Sequence, residues 1–491
     1  MPRTPTDSAI TTVPTIGSPA PPDTSRRAVL GIVVVLAAQL TLAMDTTIVN
    51  VALPRIRSGL DFTPAALSWV LNAYTLAFGG LLLLGGRLGD TYGRLRVFGY
   101  GMALFTAASL LGGLANSAEL LIAARALQGA GAALAAPGVL ALLTTRAPDE
   151  ASRHRALALF SAVSIGGGTL GLMLGGVITQ YVSWRWTLLV NVPLGLAVLL
   201  LARRFVAETP NRPARFDVVG AVAATGAAVA FVWALTGAPD RGWGDPRTIG
   251  GLAVGALLGI VLVVAERRVA APLMPPALLH DRRRVAGLTV TALVFGSQIA
   301  VFFLVVQYVE QVLGFGPLAA GAAFLPMTLG IFAMSRITPR LVARVGQAPL
   351  MVAGTLGLTG SYVWLGNVDN AGAYATAVLG PLLLNGIAAG LTFMPAASLV
   401  VGGVAPEHAG AASGLLQTTQ QLGGASGLAV IVSVYASGTM PGQFVPGARA
   451  AFLATAGLTS AACLIAGLWG RVRHERPVST DEADRVNRTP R

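Results

Sequence analysis

The chain has 491 residues, of which 54% are hydrophobic and 11% charged, far below the roughly 25% charged expected of a soluble domain. Its 34 basic residues are all arginine and outnumber 21 acids, for a formal charge of +13. Without lysine there is no Gly-x4-Gly-Lys phosphate loop and no Schiff-base chemistry, and with one cysteine, Cys463, there is no intrachain disulfide.

Residues 1–27 are rich in Pro, Thr and Ser, carry no apolar core of their own, and read as a disordered tail. From Ala28 onward, apolar runs of about 20 residues recur, the length a helix needs to cross a bilayer. Fourteen are predicted, over 28–52, 65–86, 96–116, 119–143, 156–181, 185–202, 217–237, 248–266, 285–309, 318–336, 348–366, 373–399, 409–435 and 450–470. Continuous runs of this length argue against a barrel, whose strands alternate over about ten residues. The expected fold is therefore an all-α integral membrane protein with 14 transmembrane helices.

Arginine placement orients the spans. With Arg26 and Arg27 cytoplasmic, 27 of the 34 arginines fall in the tails and cytoplasmic loops. The opposite loops hold Arg55, Arg57, Arg185, Arg241, Arg247 and Arg449, and Arg125 lies inside a span. Both termini are thus expected in the cytoplasm, and the positive charge reads as topology and contact with anionic lipid rather than a nucleic-acid surface.

Along the chain, charged and polar residues in apolar spans are the functional candidates. Asp45, in "LTLAMDTTIVNVALP", lies about 25 Å along its helix from Ala28, past the midplane. Arg125, in the fourth span, is expected at a comparable depth, so the two can meet either as a proton-sensitive pair or as a permanent ion pair between helices. After the second span comes "RLGDTYG", residues 87–93, and after the tenth "RLVARVG", residues 340–346, the same Arg-Leu-x4-Gly at equivalent places. Ala343 stands in the second copy where Asp90 stands in the first. The match divides the chain into an N-terminal six-helix bundle (28–203), an intervening helix pair with Arg/Pro-rich linkers (204–284), a C-terminal six-helix bundle (285–470) and a cytoplasmic tail (471–491). Gly86, Asp90, Gly93, Arg94 and Arg96 form a short charged turn, read either as a gate between the halves or as a solvated loop. Glu310 ends the ninth span as a second titrating group, a cation contact or a plain solvated acid. The four histidines, His154, His280, His408 and His474, fall in cytoplasmic loops or the tail, which argues against a histidine relay. Asn72, Tyr74, Gln128, Asn385, Phe393 and Gln417 are expected to line a substrate cavity near the midplane, although any one of them could equally pack within a bundle.

These segments resemble the fourteen-span drug:proton antiporters of the major facilitator superfamily. "LAMDTTIVNVALP" resembles the first-helix signature, "GGRLGDTYGRLRVF" the loop motif, and "RALQGAGAALAAPG" the fourth-helix motif through Arg125, Gln128, Gly129 and Gly131. "WRWTLLVNVPLG" and "GAASGLLQTTQQLGGASG" resemble further signatures of that branch. In the fifth helix, Gly167, Gly171, Gly175 and Gly176 fit the antiporter pattern, but Leu172 stands where proline is expected. The resemblance implies the major facilitator fold and proton-gradient-driven export of amphipathic drugs or antibiotics, with proton coupling at Asp45, Arg125 and Glu310. The alternative is a porter for a specific small metabolite. Neither reading calls for an enzymatic site, a metal or a cofactor beyond the proton-motive force, and a monomer in the cell inner membrane is expected.

Overall fold

In the computed structural model, the described residues are 23–62, 67, 69–145, 149–208, 218–266, 277–369, 373–405, 408–438 and 444–470. Their long helices are α1 (Asp23–Gly59), α2 (Trp69–Tyr92), α3 (Arg94–Gly113), α4 (Ala118–Thr145), α5 (Glu150–Tyr181), α6 (Trp186–Phe205), α7 (Val218–Arg241) and α8 (Pro246–Glu266). They continue with α9 (Arg282–Gln311), α10 (Leu325–Val345), α11 (Gln347–Leu365), α12 (Ala375–Val401), α13 (Ala409–Gly438) and α14 (Phe444–Gly470). Among the described residues there is no strand. Thirteen of these helices are long and apolar enough to cross a membrane. The remaining one, α13, is 30 residues long but carries Gln417, Gln420 and Gln421, and it lies against helices on several sides, where polar groups find protein rather than lipid.

Several boundaries differ from the sequence-based expectation. Helix α1 starts at Asp23, ahead of Ala28, and residues 1–22 of the expected tail lie outside the described residues, as does the tail 471–491. The sixth span is broken at Val190 between a short turn, Trp186–Leu189, and Asn191–Phe205. The expected loops 87–93 and 340–346 are mostly helix. Helices α2 and α10 run on to Tyr92 and Val345, and the chain turns at single glycines, Gly93 (φ 104°) and Gly346 (φ 85°). Those left-handed conformations are open to glycine because it lacks a Cβ. His154 is buried within α5 beside Glu150, not in a loop, and His474 lies outside the described residues.

In the first half, α1 packs on α5 and α6, α2 on α4, and α3 on α4 and α6. The second half repeats this with α9 on α13 and α14, α10 on α12, and α11 on α12 and α14. Helix α7 pairs with α8 and lies against both α2 and α13. The outer face of α8, with Val254, Leu257, Ile260 and Val264, is exposed. The halves meet along α2–α13 and α5–α10.

The glycines of α5 do what their spacing predicts. A Cβ at Gly171 would collide with Thr47 Oγ1 and the Met44 carbonyl, and one at Gly175 with the Ile48 carbonyl, so α1 lies directly on α5. Gly167 faces Ala43 in the same contact, and Gly176 is buried. Helix α5 is continuous through Leu172, which is buried in a cluster shared with α9, α10 and α12.

Candidate functional site: a buried charge cluster and a latch between the halves

Asp45 projects from α1 into the middle of the first bundle and is fully buried. Arg125 Nη1 on α4 donates to Asp45 Oδ2 at 2.7 Å and to Gln128 Oε1 at 2.9 Å, while its Nε donates to the Val70 carbonyl at 3.0 Å. Gln128 Nε2 donates to Asp45 Oδ1 at 3.3 Å and to Ser109 Oγ on α3 at 2.7 Å. Asn191 Nδ2, at the start of the second part of α6, donates to Asp45 Oδ1 at 2.7 Å. The guanidinium lies 4.4 Å from the centroid of the Tyr74 ring on α2, which stacks on Phe78. Helices α1, α2, α3, α4 and α6 thus converge on one carboxylate.

Its chemistry follows from what surrounds it. Asp45 accepts three hydrogen bonds, one charge-assisted from Arg125 and two from the side-chain amides of Gln128 and Asn191.

At the arginine-rich end, Asp90 forms a second charged contact. Its Oδ1 accepts from Arg94 Nε at 3.1 Å, Arg94 Nη2 at 2.9 Å and the Gly410 amide at 3.0 Å, and its Oδ2 accepts from the Ala411 amide at 2.9 Å. Those two amides are free N–H groups at the N-terminus of α13, where a carboxylate is favoured by both hydrogen bonding and the helix dipole. Gly86 permits the approach, since a Cβ there would strike the Gly410 carbonyl. Gly93 serves the turn, and Arg96 is exposed, with its backbone amide bonded to Glu208 Oε2 at 3.0 Å.

The other sequence candidates are dispersed. Glu310 is exposed at the far end of α9, outside the Asp45 cluster. Asn72 is half-buried on α2. Phe393 is buried edge-on to Phe295, and Gln417 is buried on α13, its Nε2 without a hydrogen-bond partner among the described residues. Gln128, expected in a substrate cavity, is instead fully buried as an Asp45 partner, and Asn385 is fully buried inside the second bundle. Sequence reasoning missed Asn191 and Ser109 as members of the cluster. Asn191 had a signal, a lone amide in the apolar run of "LLVNVPLG"; Ser109 had none, since a single serine in an apolar helix usually bonds its own backbone.

A profile describing the Major Facilitator Superfamily matches residues 35–428. The chain belongs to that superfamily. It is 43% identical over 418 residues to the "Cephamycin export protein CmcT" of Amycolatopsis lactamdurans, covering 84% of this chain and 86% of that one. It is 39% identical over 436 residues to the "Puromycin resistance protein pur8" of Streptomyces alboniger, covering 88% and 84%. Among solved structures, the superfamily's proton:xylose symporter XylE aligns with a TM-score of 0.65 at 14% identity, covering 92% of this chain and 97% of that one, a likeness of fold.

Proposed function

We propose that this superfamily member exports amphipathic drugs or antibiotics across the cytoplasmic membrane in exchange for protons, as a monomer with both termini in the cytoplasm. No cofactor other than the proton-motive force and no catalytic step enter this reading. Substrate export draws its support from the cephamycin export and puromycin resistance relatives, at 43% and 39% identity. Proton coupling draws its support from one observation, the fully buried Asp45 held by Arg125 at 2.7 Å.

In this scheme the two bundles, 28–203 and 285–470, rock about a central cavity, and the helix pair within 204–284 flanks the α2–α13 seam. A proton reaching Asp45 from outside loosens its bonds to Arg125, Gln128 and Asn191, and the released helices favour the state open to the cytoplasm; loss of that proton inward resets the cluster. Asp90 and Arg94, with Gly86, Gly93 and Arg96, form the cytoplasmic latch that must part in each cycle. Glu310, at the outer rim, accepts protons or attracts cations. Asn72, Tyr74, Phe393 and Gln417 contact substrate, and the glycines at 167, 171, 175 and 176 keep α5 close to α1 as the bundles move.

The test is drug-evoked proton release from inverted membrane vesicles with an acid interior, comparing wild type with Asp45→Asn. The expected result is dissipation of the gradient by several unrelated antibiotics in wild type and none in the variant. Drug uptake without a proton response would refute antiport, and uptake confined to a single compound would favour a porter for one metabolite.

A further inference from the structure

The two bundles are built on one plan, and the plan exposes a second polar site. Moving α1–α3 forward by 253 residues lays Asp45 on Gln298, Tyr74 on Met327, Gly93 on Gly346 and Ser109 on Tyr362. The connection before α12 is longer than the one before α4, so α4 maps onto α12 at 257 residues, laying Arg125 on Leu382, Gln128 on Asn385 and Gly129 on Gly386. The backbones obey this register. Gly129 lies against the Tyr74 carbonyl, and Gly386 lies against the Met327 carbonyl. Gly101 abuts Gly131 and Ala135, and Gly354 abuts Ala388 and Thr392.

At the place equivalent to the Asp45 cluster, the second bundle buries Gln298, Tyr362 and Asn385, none more than 3% exposed. The Tyr362 hydroxyl donates to Gln298 Oε1 at 2.6 Å, and Asn385 and Ser297 flank it. Gln298 Nε2 and both amide atoms of Asn385 make no well-formed hydrogen bond among the described residues, Asn385 having only a loose contact with the Tyr362 hydroxyl. Two donors and one acceptor are therefore buried without well-formed bonds beside the Tyr362 hydroxyl. Leaving such groups unmet is costly, and natural interiors meet them with ordered water when protein does not.

We propose that Gln298, Tyr362 and Asn385 form a water-binding site, the charge-free counterpart of the Asp45 cluster. Water is the ligand that both donates and accepts within so small a space, and it meets Gln298 Nε2, Asn385 Nδ2 and Asn385 Oδ1 together. With glutamine in place of the acid and leucine in place of the arginine, this site holds its occupant without titrating. The second bundle thus has a polar hub joining α9, α11 and α12, while the buried Asp45–Arg125 pair lies in the first bundle. The inference stands whether or not Asp45 carries the transported proton.

Hydroxyl radicals generated by X-ray radiolysis of water label buried side chains that touch ordered water. On the full-length protein in detergent, Tyr362 is expected to be oxidised markedly faster than the fully buried Phe98 and Phe105 of the first bundle, which are packed among apolar side chains. The labelling should vanish in Gln298→Leu/Asn385→Leu, which should still export drug. Tyr362 as protected as Phe98 and Phe105 in wild type would overturn the proposal. So would a folded double variant that no longer binds drug, because the cluster would then belong to the substrate. If the double variant does not fold, the wild-type comparison within a single molecule decides the matter.

Discussion

The Asn191 amide and the Asp45 carboxylate, 146 residues apart in the chain, meet at 2.7 Å with both side chains fully buried. That bond fixes the break in α6 against α1, and it gives the carboxylate a third donor that neither Arg125 nor Gln128 can replace. Asn191→Leu should keep the Asp45–Arg125 pair yet lower thermal stability by the worth of one hydrogen bond to a charged group, about 1.5–3 kcal/mol. Both Asp45→Ala and Asp45→Asn leave Arg125 buried without a counter-charge, at a cost of about 3–5 kcal/mol, but Asp45→Ala should be worse because asparagine keeps an oxygen that can accept from Arg125, worth about 1 kcal/mol. Melting of the detergent-solubilised variants by fluorescence-detected chromatography ranks them. Equal melting of Asp45→Ala and Asp45→Asn would contradict this ordering.

Asp90 holds α2 to the amides of Gly410 and Ala411, so its removal should open the arginine-rich end. In Asp90→Ala, a cysteine placed at Leu415, buried on α13, should react with a membrane-impermeant maleimide from that side several-fold faster than in the parent, each 1.4 kcal/mol of lost latch energy being worth about tenfold in population. Unchanged labelling would mean that the latch bears no part of the closed state.

Glu208 lies on the segment after α6, where its two carboxylate oxygens accept the Leu95 and Arg96 amides at 2.9 and 3.0 Å. It caps α3 from 113 residues away. Glu208→Ala should destabilise the protein by about 0.5–2 kcal/mol, the usual worth of an N-terminal cap. Hydrogen exchange at the first turn of α3 should speed up, while exchange in α11 should not.

Leu172→Pro supplies the proline that the antiporter pattern places at this position. In a helix interior this change costs about 3 kcal/mol or more, partly by stripping a partner from the carbonyl four residues earlier. Here that carbonyl belongs to Gly168, which already accepts a bond from Thr47 Oγ1 at 2.8 Å. Leu172→Pro should therefore fold and reach the membrane, whereas Leu172→Pro combined with Thr47→Val should express poorly. If the single variant fails as badly as the double, Thr47 does not compensate for the lost bond.

The sequence alone determined the membrane class, the spans and the identity of the candidate charges. A bilayer admits few solutions: about 20 apolar residues per crossing, helices whose backbone is satisfied internally, and charges within spans rare enough that Asp45 and Arg125 stand out unaided. The repeated Arg-Leu-x4-Gly was equally legible, because a glycine at positive φ is a local requirement of the turn. Only the tertiary structure decided the partners. That Asn191 and Ser109 join Asp45, that Asp90 caps α13, and that Asn385 lies inside a bundle depend on which faces of packed helices meet. In a chain apolar on every side, helical periodicity carries little information about which face turns inward.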